Sequence, residues 1–113
     1  MRVKIDEKDY IVDFKTETFF SKSNKVINEP TKELHKITCR IYRYSPQTKA
    51  KNLLVENTVC QNYKDKTNDV LGRKIAFTRA LGRKMNMGYS FFSKEERIAF
   101  WQEYKKTARY IVR

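Results

Sequence analysis

Residues 68–81 read NDVLGRKIAFTRAL and form the most clearly helical segment of the chain. Leu71, Ile75 and Thr78 recur at the spacing of one helix face, so we expect that face to pack against a sheet. Three residues can each cap the start of this helix by accepting bonds from its free amides: Thr67, Asn68 and Asp69. The segment therefore predicts a first helix around which the remaining elements are arranged.

A second helix is predicted after a short interruption. Gly82 weakens the first helix, and residues 85–91, MNMGYSF, predict a loop. Ser93 and Glu96 then have the spacing of a capping box, in which each side chain bonds the backbone amide of the other residue. No Pro or Gly follows, so we expect a helix from residue 94 to about residue 110.

The segments that precede the first helix predict strands. Residues 3–14 alternate apolar and polar side chains on both sides of the turn DEKD, as in a hairpin. Residues 37–45, ITCRIYRYS, and 53–61, LLVENTVCQ, are rich in residues that favour strands and predict a longer hairpin. The expected fold is α+β: an antiparallel sheet of two N-terminal hairpins followed by two C-terminal helices, in a single domain spanning residues 1–113.

Two features of the predicted sheet stay open at this stage. Residues 15–30 read as a polar loop, in which Phe19 and Phe20 either cap the core or contact another subunit or a ligand, and residues 25–28 are compatible with a short strand.

The register of the longer hairpin is the second open feature. One register places Cys39 opposite Cys60 and thereby gives a favourable charge pair of Arg43 with Glu56. A one-residue slip or a bulge is equally allowed, because the side-chain pattern does not forbid it.

The positive charge is concentrated in the later part of the chain. Of its 25 Lys and Arg and 13 Asp and Glu residues, seven basic and seven acidic ones lie in residues 1–34. Residues 35–113 therefore hold 18 basic against 6 acidic residues, which accounts for the whole net charge of +12. This asymmetry favours an anionic partner such as nucleic acid, a nucleotide or an acidic protein surface. The alternative is a basic surface that has no polyanion ligand.

The sequence predicts a cytoplasmic protein. The N-terminal residues MRVKIDEKDY contain no apolar run, so we expect neither a secretory signal nor a membrane span, and no membrane among the partners. Cys39 and Cys60 are the two cysteines, and in the cytosol we expect them to stay reduced and to act as small buried hydrophobes.

The helices and the tail carry the candidate ligand-binding residues. In the first helix, Gly72, Ala76 and Ala80 would let another backbone or a flat ligand approach closely, beside arginines that can bind phosphate through two hydrogen bonds. The tail combines rings with charge, as in proteins that bind single-stranded nucleic acid. The candidates are arginine and aromatic side chains: Arg73, Phe77, Arg79, Arg83, Tyr89, Phe91, Arg109, Tyr110 and Arg113.

A simpler interpretation of the same helices stands beside this one. The basic residues can form an ordinary solvated face with Phe77 in the core. Phe100 and Trp101, at helical spacing in the second helix, are expected in the core in either case.

The residues give little support to catalysis. His35 is the one histidine, so no histidine pair exists for zinc, and the two cysteines are too far apart for a CxxC motif. Neither a glycine-rich phosphate loop nor a nucleophile elbow is present. We therefore expect a binding protein rather than an enzyme, with no catalytic residues, metal or cofactor.

The order ITCRIY, NTVCQN, LGRKIAFTRAL and FSKEERIAFWQEY resembles small bacteriophage proteins, in particular the Thoeris anti-defence proteins of the first type. The resemblance covers roughly residues 37–104. It implies an antiparallel sheet with C-terminal helices, assembled as a homo-oligomer, a dimer or larger, with ligand pockets near subunit contacts. It also implies a sponge in the host cytoplasm, which binds and sequesters cyclic ADP-ribose immune signals, and in some members cyclic oligonucleotides.

Three hypotheses are compatible with the sequence. The first is a sponge for a nucleotide signal, and the second is a DNA- or RNA-binding module that uses the same basic groups, with affinity that falls steeply with salt. The third is a protein that binds an acidic host enzyme directly.

Overall fold

The computed structural model of the chain describes residues 1–21, 32–62, 66–82 and 91–111, and for Ser21 and residues 108–111 it describes the backbone alone. Six elements follow one another: β1 (Arg2–Ile5), β2 (Lys8–Ser21), β3 (Lys32–Ser45), β4 (Ala50–Cys60), α1 (Asp69–Leu81) and α2 (Lys94–Ile111). The strands form one antiparallel sheet in the order β1-β2-β3-β4. The predicted α+β fold, with two hairpins followed by two helices, is confirmed.

Strand β2 is longer than the first predicted hairpin. It continues through Phe19 and Phe20 to Ser21 and pairs with β3 without a register shift. The expectation of a polar loop beginning at residue 15 is therefore wrong over residues 15–21, because backbone pairing with β3 holds these residues extended although most of their side chains are polar. The proposed strand at residues 25–28 lies outside the described residues.

The register of β3 with β4 differs from the predicted one. Cys39 lies opposite Asn57 and Cys60 lies opposite Lys36, so the two cysteines do not face each other. The turn between the strands spans residues 46–49 and is shorter than the predicted connector, and turn length fixes the register of a hairpin. Glu56 consequently pairs with Arg40 rather than with Arg43, at 2.9 Å from Nε to Oε2.

A β-bulge in β4 supplies an extra apolar side chain to the core. The register shifts between Ile41 and Tyr42, so that Leu54 has no direct partner on β3. Val55 is buried and Leu54 packs against the same core cluster. Two successive residues of β4 therefore contribute side chains to the core, on the side of the sheet that the helices cover.

The core lies between one face of the sheet and the two helices. Its strand residues include Val3, Val12, Cys39 and Ile41, all at most 1% exposed. The helical side is an aromatic cluster, in which Phe77 lies 4.8 Å from the Trp101 ring and 4.9 Å from the Tyr104 ring, centroid to centroid. Phe100 is fully buried, as predicted, and Trp101 is partly buried against the cluster.

The buried face of α1 is rotated from the predicted one. Leu71 is 50% exposed and Thr78 is exposed, so the expectation that Leu71 and Thr78 lock the helix to the sheet is wrong. The buried residues of α1 are Ala76, Phe77, Ala80 and Leu81. The small residues Gly72, Ala76 and Ala80 let the helix lie close to the sheet, and a Cβ built on Gly72 would already come within 2.5 Å of Ile37.

Local sequence signals define the starts of both helices. Asn68 caps α1, since its Oδ1 accepts the backbone N–H of Leu71 at 3.0 Å. The predicted capping box of α2 is confirmed: the Ser93 N–H donates to Glu96 Oε1 at 3.0 Å, and the Glu96 N–H donates to Ser93 Oγ at 3.2 Å. Glu96 also accepts a long hydrogen bond from the Tyr10 hydroxyl, which ties this helix start to β2.

The cysteines lie in different environments. Cys39 is buried in the core, whereas Cys60 is exposed at the end of β4. The expectation that both act as buried hydrophobes is thus wrong for Cys60, which is the last residue of the edge strand β4. Among the described residues, neither helix is both long and apolar enough to cross a membrane.

Candidate anion-binding site at helix α1

A groove of about 390 Å³ lies where the ends of β3 and β4 meet the first two turns of α1. Its apolar wall includes Ile37, Val59 and Ile75, and its polar residues include His35 and Lys66. Pockets for small ligands typically have volumes of about 300–1,000 Å³ and combine an apolar lining with a few polar groups. The groove has the size and lining of such a pocket.

Hydrogen bonds fix one end of this groove. His35 Nδ1 lies 2.6 Å from the Asp69 Oδ1 atom, which joins β3 to the first turn of α1. The backbone N–H of His35 donates to Gln61 Oε1 at 2.9 Å, and the Gln61 N–H donates to the His35 carbonyl at 2.9 Å. The polar end of the groove is therefore held in one arrangement by β3, the residue after β4, and α1.

The start of α1 is already satisfied by its own residues. Asn68 accepts the Leu71 N–H through its side chain and the Gly72 N–H through its carbonyl. Asp69 adds a carboxylate to the first turn. Because these groups compensate the free amides of the helix start, an anion in the groove would be bound by cationic side chains rather than by the helix terminus.

The cations of the sheet and those of the helix differ in their pairing. In the sheet, cations lie within 4.0 Å of carboxylates in the pairs Arg2–Asp9, Lys15–Glu17, Arg40–Glu56 and Lys51–Asp13. Around α1, by contrast, four cations form no ion pair with another residue of the described ranges: Lys66, Arg73, Lys74 and Arg79. Lys4, Lys8 and Lys36 of the sheet also form no ion pair within the described ranges, so the cations around α1 are one of several uncompensated sets and are the ones nearest the groove.

Arg73 and Arg79 lie on different sides of α1. Arg73 is partly buried beside Tyr104: burial raises the pKa of the Tyr104 phenol, and the positive charge of Arg73 opposes that rise. Arg79 is exposed, about 120° away around the helix, on the side that carries Ile75 and the groove. The two arginines therefore flank the helix and do not form one cluster.

Two predicted aromatic ligand residues have packing roles. Phe77 is 0% exposed at the centre of the aromatic cluster, so the expectation that it faces a ligand or a neighbour is wrong. It is buried because its side of α1 meets α2, where its ring contacts Phe100, Trp101 and Tyr104. Phe91 is partly buried and packs edge-on against Phe92, at 5.5 Å between ring centroids.

Small residues in α1 also have a different role from the predicted one. Ala76 and Ala80 are fully buried in the core rather than facing a ligand or another subunit, whereas Gly72 lies against Ile37 and lines the groove. The remaining candidates are not placed. Arg83, Tyr89 and Arg113 lie outside the described residues, and Arg109 and Tyr110 lie on α2 with only their backbone described.

The groove brings together residues that the sequence did not single out for binding. His35 and Asp69 are 34 positions apart, and Lys66 lies in the connector after β4. The capping position of Asp69 was visible in the sequence, but its contact with His35 depends on how α1 folds back over the sheet. Within the described ranges, no group of three or more His, Cys, Asp or Glu residues could hold a metal ion.

Comparison with protein-family models, with curated proteins and with solved structures finds no match for this chain.

Proposed function

We propose that this protein binds a cyclic ADP-ribose-type nucleotide signal and sequesters it without cleaving it. The observation that carries the proposal is the set of cations around α1 that have no ion-pair partner in the described residues, next to a groove of ligand size. Cyclic oligonucleotides are a second group of ligands with the same phosphate chemistry. The resemblance of residues 37–104 to phage anti-defence sponges supports the same ligand class.

The pairing of individual cations supports this location. Carboxylates neutralise four cations of the sheet, so a phosphate that binds to any of these would first have to displace an intramolecular partner. Lys66 and Arg79 carry no such partner within the described ranges, and phosphate can bind them at no such cost. In the proposed complex Lys66 and Arg79 contact the phosphates.

The groove supplies the surface for the remainder of the ligand. Ile37, Val59 and Ile75 form an apolar wall against which a base can pack, and His35 and Gln61 offer fixed polar groups beside it. A sponge needs complementarity to the ground state of its ligand and gains nothing from stabilising a transition state. His35 accordingly has a binding role in the proposal, oriented by Asp69.

Calorimetry and thermal shift with cyclic ADP-ribose isomers and cyclic oligonucleotides test the proposal. A ligand that binds only the folded state raises Tm, and at 100 times its Kd it adds about 2.7 kcal/mol of stability. We expect at least one of these compounds to do so. Mass spectrometry of the ligand released by heating should recover it intact, whereas a cleaved product would show an enzyme.

Charge reversal locates the site. Lys66→Glu and Arg79→Glu should each weaken binding at least tenfold, because each replaces an attraction to phosphate by a repulsion. Lys105→Glu is the matched control: it makes the same change in net charge at an exposed position of α2, whereas Lys66 lines the groove and Arg79 lies one helical turn beyond Ile75 on the groove side of α1. Equal losses for all three variants would indicate a non-specific charge effect, and no loss for Lys66→Glu and Arg79→Glu would place the pocket elsewhere.

The helix-free face of the sheet favours a second candidate, a nucleic-acid-binding module. Tyr42 and Tyr44 lie on this face, with the Lys51 Nζ atom 4.6 Å from the Tyr42 ring centroid and the Arg2 Cζ atom 4.8 Å from that of Tyr44. Rings and cations in this arrangement can stack bases and contact a phosphate backbone. Retention of single-stranded RNA or DNA at low salt, lost in Tyr42→Ala, would favour this candidate over the sponge.

The proposed setting of the sponge follows from the resemblance. It includes a homo-oligomeric assembly and a location in the cytoplasm of the infected host cell. Measurement of the molecular mass in solution, in the presence and absence of ligand, would test whether the protein forms a homo-oligomer.

A further inference from the structure

Gln61 is the first residue after β4, and its side chain continues the pairing of that strand with β3. The backbone N–H of Gln61 donates to the His35 carbonyl at 2.9 Å. In return, the His35 N–H donates to the side-chain Oε1 atom of Gln61, also at 2.9 Å. The side chain therefore supplies a bond that the backbone of a longer strand would supply, and the main chain can turn away from the sheet.

The same amide group holds the connector that leads to α1. Gln61 Nε2 donates to Thr67 Oγ1 at 3.1 Å, and the Thr67 hydroxyl donates to Gln61 Oε1 at 3.2 Å. Thr67 stands between Lys66, which lines the groove, and Asn68, which caps α1. One side chain thus fixes the segment that carries Lys66 relative to β3.

A further bond closes a ring of contacts. His35 Nδ1 lies 2.6 Å from the Oδ1 atom of Asp69, which is two residues after Thr67. We call these four residues the Gln61 network: His35, Gln61, Thr67 and Asp69. The network joins β3, the end of β4, the connector and the first turn of α1, so the start of α1 is attached to the sheet at two points.

The position of Lys66 relative to the apolar wall decides which ligands fit. In the proposed complex Lys66 contacts a phosphate, and a base packs against Ile37 and Val59. A ligand makes both contacts only if the separation of its phosphate and its base matches that of the two subsites. A site that is already fixed also loses less entropy on binding than one that must be ordered.

From these observations we propose that Gln61 is a positioning residue, which acts through Thr67 to hold Lys66 at a set distance from the apolar wall. It thereby selects nucleotides whose phosphate and base have that separation. The inference rests on the proposed function and deepens it. Because the role of Gln61 is indirect, its loss should change the selectivity between ligands more than the strength of the phosphate contact.

Two probes distinguish positioning from a direct phosphate contact. Cyclic ADP-ribose carries a base and phosphates, whereas inorganic pyrophosphate carries phosphates alone. By calorimetry, Gln61→Ala and Thr67→Val should each weaken the binding of cyclic ADP-ribose at least about fivefold and that of pyrophosphate less than about twofold. Lys66→Glu should weaken the binding of both probes, because it replaces the phosphate contact itself by a repulsion.

Two control variants and one double variant complete the set. Thr67→Ser keeps the hydroxyl group and should bind both probes as wild type does. Gln47→Ala removes a glutamine from the turn between β3 and β4, at the other end of the sheet from the groove, and should leave both affinities unchanged. Gln61→Ala combined with Thr67→Val should lose little more affinity than Gln61→Ala, because the two residues act through one contact.

Hydrogen exchange in the ligand-free chain tests the network separately from the proposed function. The Leu71 N–H, which donates to Asn68 Oδ1, reports on the first turn of α1. Its exchange should be at least about fivefold faster in Gln61→Ala and Thr67→Val than in wild type, and unchanged in Thr67→Ser. Unchanged exchange in the first two variants would overturn the inference, whatever the ligand.

The calorimetry can overturn the inference as well. Equal losses of affinity for the two probes, or no loss for either, would show that Gln61 does not position Lys66 against the wall. A wild-type chain that binds neither probe would contradict the proposed function, and the selection of ligands by Gln61 would be refuted with it. The exchange rates would still decide whether Gln61 holds the start of α1.

Discussion

Gly72 of α1 lies directly against Ile37 of β3: a Cβ built on Gly72 would come within 2.5 Å of the Ile37 Cδ1 atom. Glycine at this position lets the helix rest on the strand, and this contact forms the inner wall of the groove. The same contact explains why an interior helix position holds a residue that costs about 1 kcal/mol relative to alanine in helix propensity.

Gly72→Ala should destabilise the protein by about 1 kcal/mol, because overpacking exceeds the gain in helix propensity. Ile37→Val removes the obstructing methyl group, so in that background Gly72→Ala should become neutral or stabilising. Urea denaturation of the four chains of this double-mutant cycle measures the coupling. An identical effect of Gly72→Ala in both backgrounds would contradict the contact.

Phe77→Ala should destabilise the fold by about 3–5 kcal/mol, since it removes a fully buried ring from the aromatic cluster. Leu53→Ala is the control, because Leu53 is 51% exposed on β4 and its truncation should cost much less. Chemical denaturation measures both variants. A loss below about 1 kcal/mol for Phe77→Ala would mean that the ring is not the centre of the core.

Stability should fall in alkaline solution. Burial, with a smaller contribution from the Asp13 carboxylate, raises the pKa of the Cys39 thiol from 9.0 to about 12. Burial also raises the pKa of Tyr10 and of Tyr104 above 10.0. The folded state holds these protons more tightly than the unfolded chain, so their stabilising contribution is complete below about pH 9 and is lost as the pH rises toward 12.

Urea denaturation between about pH 8 and pH 11 measures this loss. Cys39→Ala should show a shallower decline than wild type over the same interval, since the thiol no longer contributes. Cys60→Ala is the matched control and should follow the wild-type curve, because Cys60 is exposed. Parallel curves for Cys39→Ala and wild type would contradict the assignment.

Thiol reagents should distinguish the two cysteines. In the folded protein an aromatic disulfide reagent should modify Cys60 rapidly, whereas Cys39 should react only on unfolding, because it is buried and its pKa is raised. Absorbance of the released thiolate counts the modified groups, and Cys60→Ala should abolish the fast phase. Two fast equivalents in the native protein would show that Cys39 is accessible.

Parts of the candidate site could be predicted from sequence and parts could not. The concentration of positive charge after residue 34 predicts an anionic partner, and the predicted candidate Arg79 is exposed on the groove side of α1. Phe77 could not be assigned correctly from sequence. Helical spacing shows which residues share a face of a helix, but not which face meets the sheet or the other helix. His35 carried no signal, since its partner Asp69 is distant in sequence.

The sequence by itself determined the features that depend on neighbouring residues. The Ser93 and Glu96 capping box, the start of α1 within residues 67–69 and the two hairpins are local, since each is set by groups within a few positions of one another. Only the tertiary structure decided the β3–β4 register, the buried face of α1 and the groove. The register depends on turn length, the buried face of α1 on the close approach that Gly72 permits, and the groove on the packing of elements that are distant in sequence. Each of these features reflects energies summed over the whole fold rather than a property of one segment.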